Sequence, residues 1–532
     1  MKNILLVILL HFILIDLTAQ TWTEIQKIVS SDRGAHDQFG VSVSINNQTA
    51  IVGAWKEDHD TIGLNKINHA GAAYIFERDT TGYWNEAQKL IASDRSEIAS
   101  FGYSVAIDQD YLIIGARGES KNVVGGDSIN GAGAAYIFRK NQTGKWTQIQ
   151  KLVASDRGKF DFFGSSVAIH NSYLIIGAYW EDHNPFGQDT KSEAGAAYIF
   201  ERDSTGYWTE VQKIVPLDRE VYDQFGFSVS IEGNTAIVGA YTKTDSIGGI
   251  PVFSAGAVYI FERNSLGEWV ENQKVTASDK ANSDYFGTSV AISGNTILVG
   301  AYGENDVPGG NDVDNRGAAY FLEKNNLGQW EETQKVIGSG KKGFLLFGYS
   351  VSLDGDVAII GTPHDFEPTI LSGSAFIFER KPNGIWYEAQ KLTASDYDIE
   401  DKFGWSVAIS GTTALVGAFY EDEDATGGNT LEDAGSAYIF ERWAPVGIDK
   451  SAKSLPLKIY PNPTEKNVTI ELGQVYQEIK ITVRNVMGQV IVQEVVKNAD
   501  QIEVELEGPA GVYLVETELG EKGGVIWKVV KK

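Results

Sequence analysis

The sequence predicts an all-β protein: a seven-bladed β-propeller with four antiparallel strands per blade, then a small C-terminal β-sandwich. Three observations predict it. Phe-Gly recurs in register at Phe39, Phe101, Phe163, Phe225, Phe286, Phe347 and Phe403, at steps of 62, 62, 62, 61, 61 and 56 residues. Each repeat carries four short β-patterned segments and no helical period. The last stretch, from Leu455, alternates apolar and polar residues in a different register.

Within a repeat the elements follow in order. Strand A follows Phe-Gly, as in FGVSVSI (39–45), and strand B ends in Gly-Ala, as in TAIVGA (49–54). The turn between them is tight and uses residues that tolerate positive φ, such as Gly233-Asn234. Strand C is GAAYIFER and its variants, and strand D runs from a Trp to Gln-Lys, as in WNEAQKL (84–90). Ser, Ala and Gly dominate A and B, as crowding near a central axis requires. Glu and Lys on D suit an outer edge that must not recruit another strand. The chain opens its repeats with a lone D (WTEIQK) and closes them with a lone A-B-C, so the first strand should complete the last blade.

The ends carry export signals. A basic start (Met1-Lys2-Asn3), an apolar run ILLVILLHFILI (4–15) and Ala19 read as a signal peptide over 1–19, with a membrane anchor as the alternative. No later run is apolar enough to span a bilayer in the mature chain. The formal charge is −26, from 45 Lys plus Arg against 71 Asp plus Glu, nearly all of it in the repeats. That argues against nucleic acid and anionic membrane as partners. With no cysteine there is no disulfide, thiolate metal site or thiol nucleophile.

The motifs FG-x-SV-[AS]-I, [IL]-[IV]-GA and GAAYIF resemble the FG-GAP repeats of integrin alpha-type propellers, over about residues 22–442. That family's calcium loop lies between strands A and B, where this chain has only a tight turn, so its calcium site does not carry over. The resemblance implies the fold and says much less about function. After a linker at 443–454, residues 455–532 resemble the type A sorting domain of the Bacteroidetes type IX secretion system. The likeness rests on Tyr460-Pro461-Asn462-Pro463, Asn485-Val486-Met487-Gly488, Gly511-Val512-Tyr513 and the Lys-Val-Val-Lys-Lys end. It implies a partner in that machinery and a secreted or outer-membrane-surface location. Counting the closing strand, the propeller domain runs over 20–442.

One rim of such a propeller carries the A-B and C-D turns, here all tight; the other carries the long B-C and D-A loops, where function is expected. In blade six both long-rim loops, 363–372 and 338–346, lack the usual length or acids, which predicts a notch. Aligned on their glycine, the B-C loops suggest calcium, through oxygen ligands at positions 1, 3 and 5, a glycine at 6 and an acid near 12. Blade seven offers Asp422, Asp424, Thr426, the Gly428 carbonyl and Asp433. Weaker sets are Asp58 and Asp60, Asp182, Asn184 and Glu193, and Glu304 and Asp306. The same residues also suit an Asx turn with a left-handed glycine and no metal. No cofactor is required. The recurring D-A aspartates (Asp32, Asp94, Asp156, Asp218, Asp279, Asp396) read as loop-fixing hydrogen-bond acceptors. GDSIN (126–130) falls short of a nucleophile elbow, and GSGKK (338–342) of a phosphate loop.

No catalytic constellation emerges. The leading expectation is a secreted or surface-displayed binding or adhesion protein, with an extracellular glycan or protein ligand on the long-loop rim. The alternatives are a polysaccharide hydrolase or lyase using rim carboxylates, and a structural surface-layer protein.

Overall fold

The structure, a computed structural model, describes residues 21–187, 189–305, 316–339, 345–366, 370–443, 458–460, 464, 466–485, 490–506, 511–519 and 524–531. The expected signal peptide, most of the linker and Asp306 lie outside them. No helix among the described residues is long and apolar enough to cross a membrane.

Every blade is an antiparallel sheet in the order A-B-C-D. In blade one the strands are Phe39–Asn46, Thr49–Ala54, Ala72–Arg78 and Trp84–Leu90. In blade seven, Thr21–Ile28 takes the place of strand D beside Ser436–Trp443, so the ring closes on the first strand as its order predicts. Blade four adds a small hairpin in its B-C loop, Asp245–Ile247 with Ile250–Val252.

Neighbouring blades are tied by a repeated set of contacts. The Phe of each Phe-Gly pairs in parallel with the Gly that opens the previous blade's strand C: Phe101 with Gly71, and Phe39 with Gly435 across the closure. Ser42 Oγ donates to the Gly102 carbonyl at 2.8 Å, and Ser406 Oγ to Gly40 at 2.7 Å. These approaches dictate the glycines. A Cβ on Gly53 would stand 2.0 Å from the Gly102 carbonyl oxygen; Gly40 has φ +94 and faces Ser436 O in the same way. Apolar packing continues the ring. Phe39 meets Tyr74 edge-on at 5.5 Å, within a cluster that joins Trp84 of blade one to Leu415 and Ile439 of blade seven.

The repeats form one compact unit, Glu24–Glu441. The C-terminal strands form one antiparallel network of five, in which the long strand Asn467–Asn485 pairs with three others. Its core holds Val468, Ile470, Ile481, Val504, Val515 and Val529.

Candidate functional site: the long-loop rim

Under the rim each blade carries a buried polar group. In blade one, Glu57 is fully buried three residues after Gly-Ala. The Tyr74 hydroxyl lies 2.8 Å from Asp32 Oδ1 and 3.2 Å from Glu57 Oε2. Lys89 Nζ reaches Asp32 at 2.6 Å and Glu57 at 3.3 Å. The set recurs as Asp156, Glu181, Tyr198 and Lys213, and as Asp396, Glu421, Tyr438 and Lys27, the last cation coming from the closing strand. A buried acid needs such partners. The D-A aspartates therefore hold Tyr and Lys of the blade they lead into.

Two blades vary the theme with compensation. Blade six has Phe376 instead of Tyr and a shorter acid, Asp365, which takes Ser374 Oγ at 2.7 Å and Lys391 at 2.9 Å. Blade four has Lys243 where the others have Glu, and it pairs with Asp223 at 2.8 Å.

A second aspartate sits beside the buried Glu in four blades. Burial and the Glu57 carboxylate push Asp37 up to about 9. Burial and their own neighbouring glutamates raise Asp161 to about 8, Asp284 to about 7 and Asp401 to about 8.

The proposed calcium ligands take these positions. Asp424 Oδ1 accepts Thr426 N–H at 2.8 Å, Thr426 Oγ–H at 2.7 Å and Gly428 N–H at 3.1 Å, while the Gly428 carbonyl accepts Asp424 N–H. Those bonds hold the Asp424 carboxyl below its ordinary range. Asp422 Oδ1 accepts the Asp433 N–H at 2.8 Å, and Asp433 faces His36 at 3.2 Å. Blade one repeats this: Asp60 caps Ile62 and Leu64, and Asp58 accepts His69 N–H at 2.6 Å. In blade three Asn184 caps Phe186, and Asp182 accepts Glu193 N–H at 2.7 Å. Glu304 belongs to the buried network instead, taking the Tyr320 hydroxyl at 2.8 Å. The structure thus brings positions 1 and 12 together through the backbone. Among the described residues it gathers no group of three metal-ligating side chains.

Three features escape the sequence reading. The Arg after most D-A aspartates staples the previous blade's loop: Arg33 donates to the Asp422 carbonyl at 2.9 Å, and Arg219 to that of Asp182 at 2.6 Å. Asp-Arg was visible in sequence; its reach to another blade was not. The residues after Phe-Gly and after Gly-Ala are mostly aromatic, and they line up around the ring. Phe227 meets Tyr241 at 4.1 Å, Tyr349 meets Trp405 at 4.4 Å, and Arg117 stacks on Tyr103 at 3.7 Å. Burial beside Tyr285 pushes Tyr302 up to about 12. The signal was variability confined to two slots of an otherwise repeated phrase. Third, the D-A loops hold non-glycine residues at positive φ, including Ile98 at 60° and Phe160 at 66°. A branched side chain there is costly and fixes its own direction.

Seven matches to a family model for the FG-GAP repeat cover residues 22–76, 84–138, 146–200, 208–261, 269–322, 330–378 and 386–440. The chain belongs to the FG-GAP repeat family. Residues 458–532 match a secretion system C-terminal sorting domain. This tail marks the FG-GAP chain for type IX secretion, to the cell surface or beyond it. No curated protein matches. A crystal structure of a protein from Lactobacillus plantarum is similar at 12% identity, with a TM-score of 0.42, over 69% of this chain and 86% of that one.

Proposed function

We propose that this FG-GAP protein is a non-catalytic binding or adhesion protein that holds an extracellular ligand on the long-loop rim. One observation carries the reading. Across blades one to four the B-C loop tips present Ile62, Val124, Phe186 and Ile247 to solvent, with Val124 83% and Phe186 81% exposed. The C-D turns of the other rim expose single residues such as Leu266 and Leu327, whereas these loops carry up to three per blade, such as Ile247, Ile250 and Phe253, and exposed apolar groups in clusters mark interaction surfaces. Asx turns fix the tips, and Ile98, Phe160 and Tyr222 stand between them on left-handed backbone. The half-buried aromatic ring at the rim's centre adds a platform inside this sector.

The test uses the full secreted chain on glycan and matrix-protein arrays, beside a reducing-sugar release assay. Val124→Ser, Phe186→Ser and Ile247→Ser together should weaken capture at least about tenfold, as loss of hot-spot side chains does, with melting unchanged. Turnover of any polysaccharide, or capture untouched by the triple change, overturns the reading.

A further inference from the structure

The short-turn rim carries a second ring of ion pairs, at the end of strand C. In five blades the cation reaches back to the glutamate of the blade before: Arg78 to Glu441 at 2.6 Å, Lys140 to Glu77 at 2.7 Å, Arg263 to Glu201 at 3.4 Å, Lys324 to Glu262 at 2.6 Å and Arg380 to Glu323 at 2.6 Å. The repeat breaks at blade three. Blade two reads AYIFRK where blade one reads AYIFER, so Arg139 stands where Arg202 of blade three needs a carboxylate. Among the described residues neither arginine has an ion-pair partner. Both guanidiniums instead lie over the Tyr111 ring, Arg202 at 4.1 Å and Arg139 at 5.3 Å.

An open cavity of about 420 Å³ lies at this break, within the size range of ligand sites. Tyr111, Arg139, Ser172, Arg202, Thr205 and Gly206 line it. Asp203 lines it as well, with its Oδ1 turned to its own loop, accepting Thr205 N–H at 2.8 Å, Thr205 Oγ–H at 2.6 Å and Tyr207 N–H at 3.0 Å. Gly206 leaves the floor open: a Cβ there would lie 3.4 Å from the Tyr111 hydroxyl and 3.7 Å from the Arg139 guanidinium.

The neighbouring blade shows what the cavity lacks. There the Glu201 carboxylate takes the Tyr173 hydroxyl at 3.3 Å on one oxygen and Arg263 at 3.4 Å on the other. Tyr111 and Arg202 repeat those two donors without the acid. We propose that the cavity between blades two and three binds the carboxylate of an external sugar acid of the uronate type. Arg202 and Tyr111 take the places of Arg263 and Tyr173, Arg139 adds a second fork, and Ser172 and Thr205 meet ring hydroxyls. Two adjacent guanidiniums repel, and a planar oxyanion between them relieves that repulsion with charge-assisted hydrogen bonds.

Calorimetric titration of the full secreted chain with glucuronate, glucose, acetate and sulfate tests this. The decisive variant is Arg139→Glu, which restores the residue used in the other blades and should fold. Glucuronate should bind more tightly than acetate or sulfate, and glucose should not bind. Arg139→Glu should lower glucuronate affinity by about tenfold or more and raise the unliganded melting temperature, because Arg202 regains its partner. Absence of glucuronate binding, or equal affinity in Arg139→Glu, overturns the proposal. Sulfate binding more tightly than glucuronate overturns the carboxylate assignment; acetate or glucose matching glucuronate overturns the sugar acid.

Discussion

Gln26 grips Trp84 through both ends of its side-chain amide. Nε2 donates to the Trp84 carbonyl at 2.7 Å, and Oε1 accepts the Trp84 N–H at 2.9 Å. The amide thus copies a β-ladder between the outermost strands of two blades. The same grip recurs between Gln150 and Trp208 and between Gln334 and Trp386. Gln150→Ala should cost roughly 1–3 kcal/mol, because it strands two part-buried backbone groups. Gln150→Glu should cost at least as much, since it sets a carboxylate against the Trp208 carbonyl. Urea unfolding of each variant checks both.

Closure predicts an asymmetry between truncations. Deleting residues 20–28 removes the strand that fills blade seven and takes Lys27 from Asp396 and Glu421. That deletion should lower the melting temperature far more than deleting 455–532. Calorimetry on the two truncated chains decides it; equal melting refutes the role given to the first strand.

The second rim aspartates predict a pH dependence with a definite sign. Asp37, Asp161, Asp284 and Asp401 have folded values raised from 3.8 to about 9, 8, 7 and 8. The folded state therefore holds protons that the unfolded chain releases near pH 4. Their contribution is full below pH 4 and is lost as pH rises through about 7 to 9. Replacing all four with Asn, which mimics the protonated acid, should flatten the fall in melting temperature between pH 5 and pH 9. A fall as steep as in the parent would show that these acids ionise freely in the folded ring.

The blade-seven loop predicts a metal-independent effect. Asp424→Ala should lower the melting temperature slightly in chelator, because three bonds to Asp424 Oδ1 are lost. A melting rise at millimolar calcium that Asp422→Ala with Asp424→Ala abolishes would show that the free carboxylate oxygens also take an ion. Melting measured with and without calcium separates the two uses.

Strand order, the tight A-B turns and ring closure were legible because the apolar alternation and the glycines recur at fixed steps. Phe39, Gly53 and Trp84 announce their roles by repetition. Other roles stayed hidden because they depend on which blade a side chain reaches. Nothing local says that Arg33 crosses to Asp422, or that Glu57 is buried while Asp58, one residue on, caps a loop end. The spacing of Asp422, Asp424 and Asp433 suits a calcium loop and an Asx turn equally, since both ask for oxygen acceptors ahead of a left-handed glycine. The break at Arg139 was visible as one changed letter in a repeated word. Its weight appears only when the ring sets it against Arg202.

The pairing of Phe39 with Gly435 also fixes an order in time. Blades one to six can each complete their own sheets soon after their residues emerge, and blades two to six can lean on the blade before, whereas blade one must wait for blade seven. Strand Thr21–Ile28 is made first, yet its hydrogen-bonding partner is Ser436–Trp443, and it must wait for the whole ring. Until then the nascent chain keeps two raw ends. A chain cut short anywhere before blade seven never joins them, so closure itself distinguishes finished molecules from fragments.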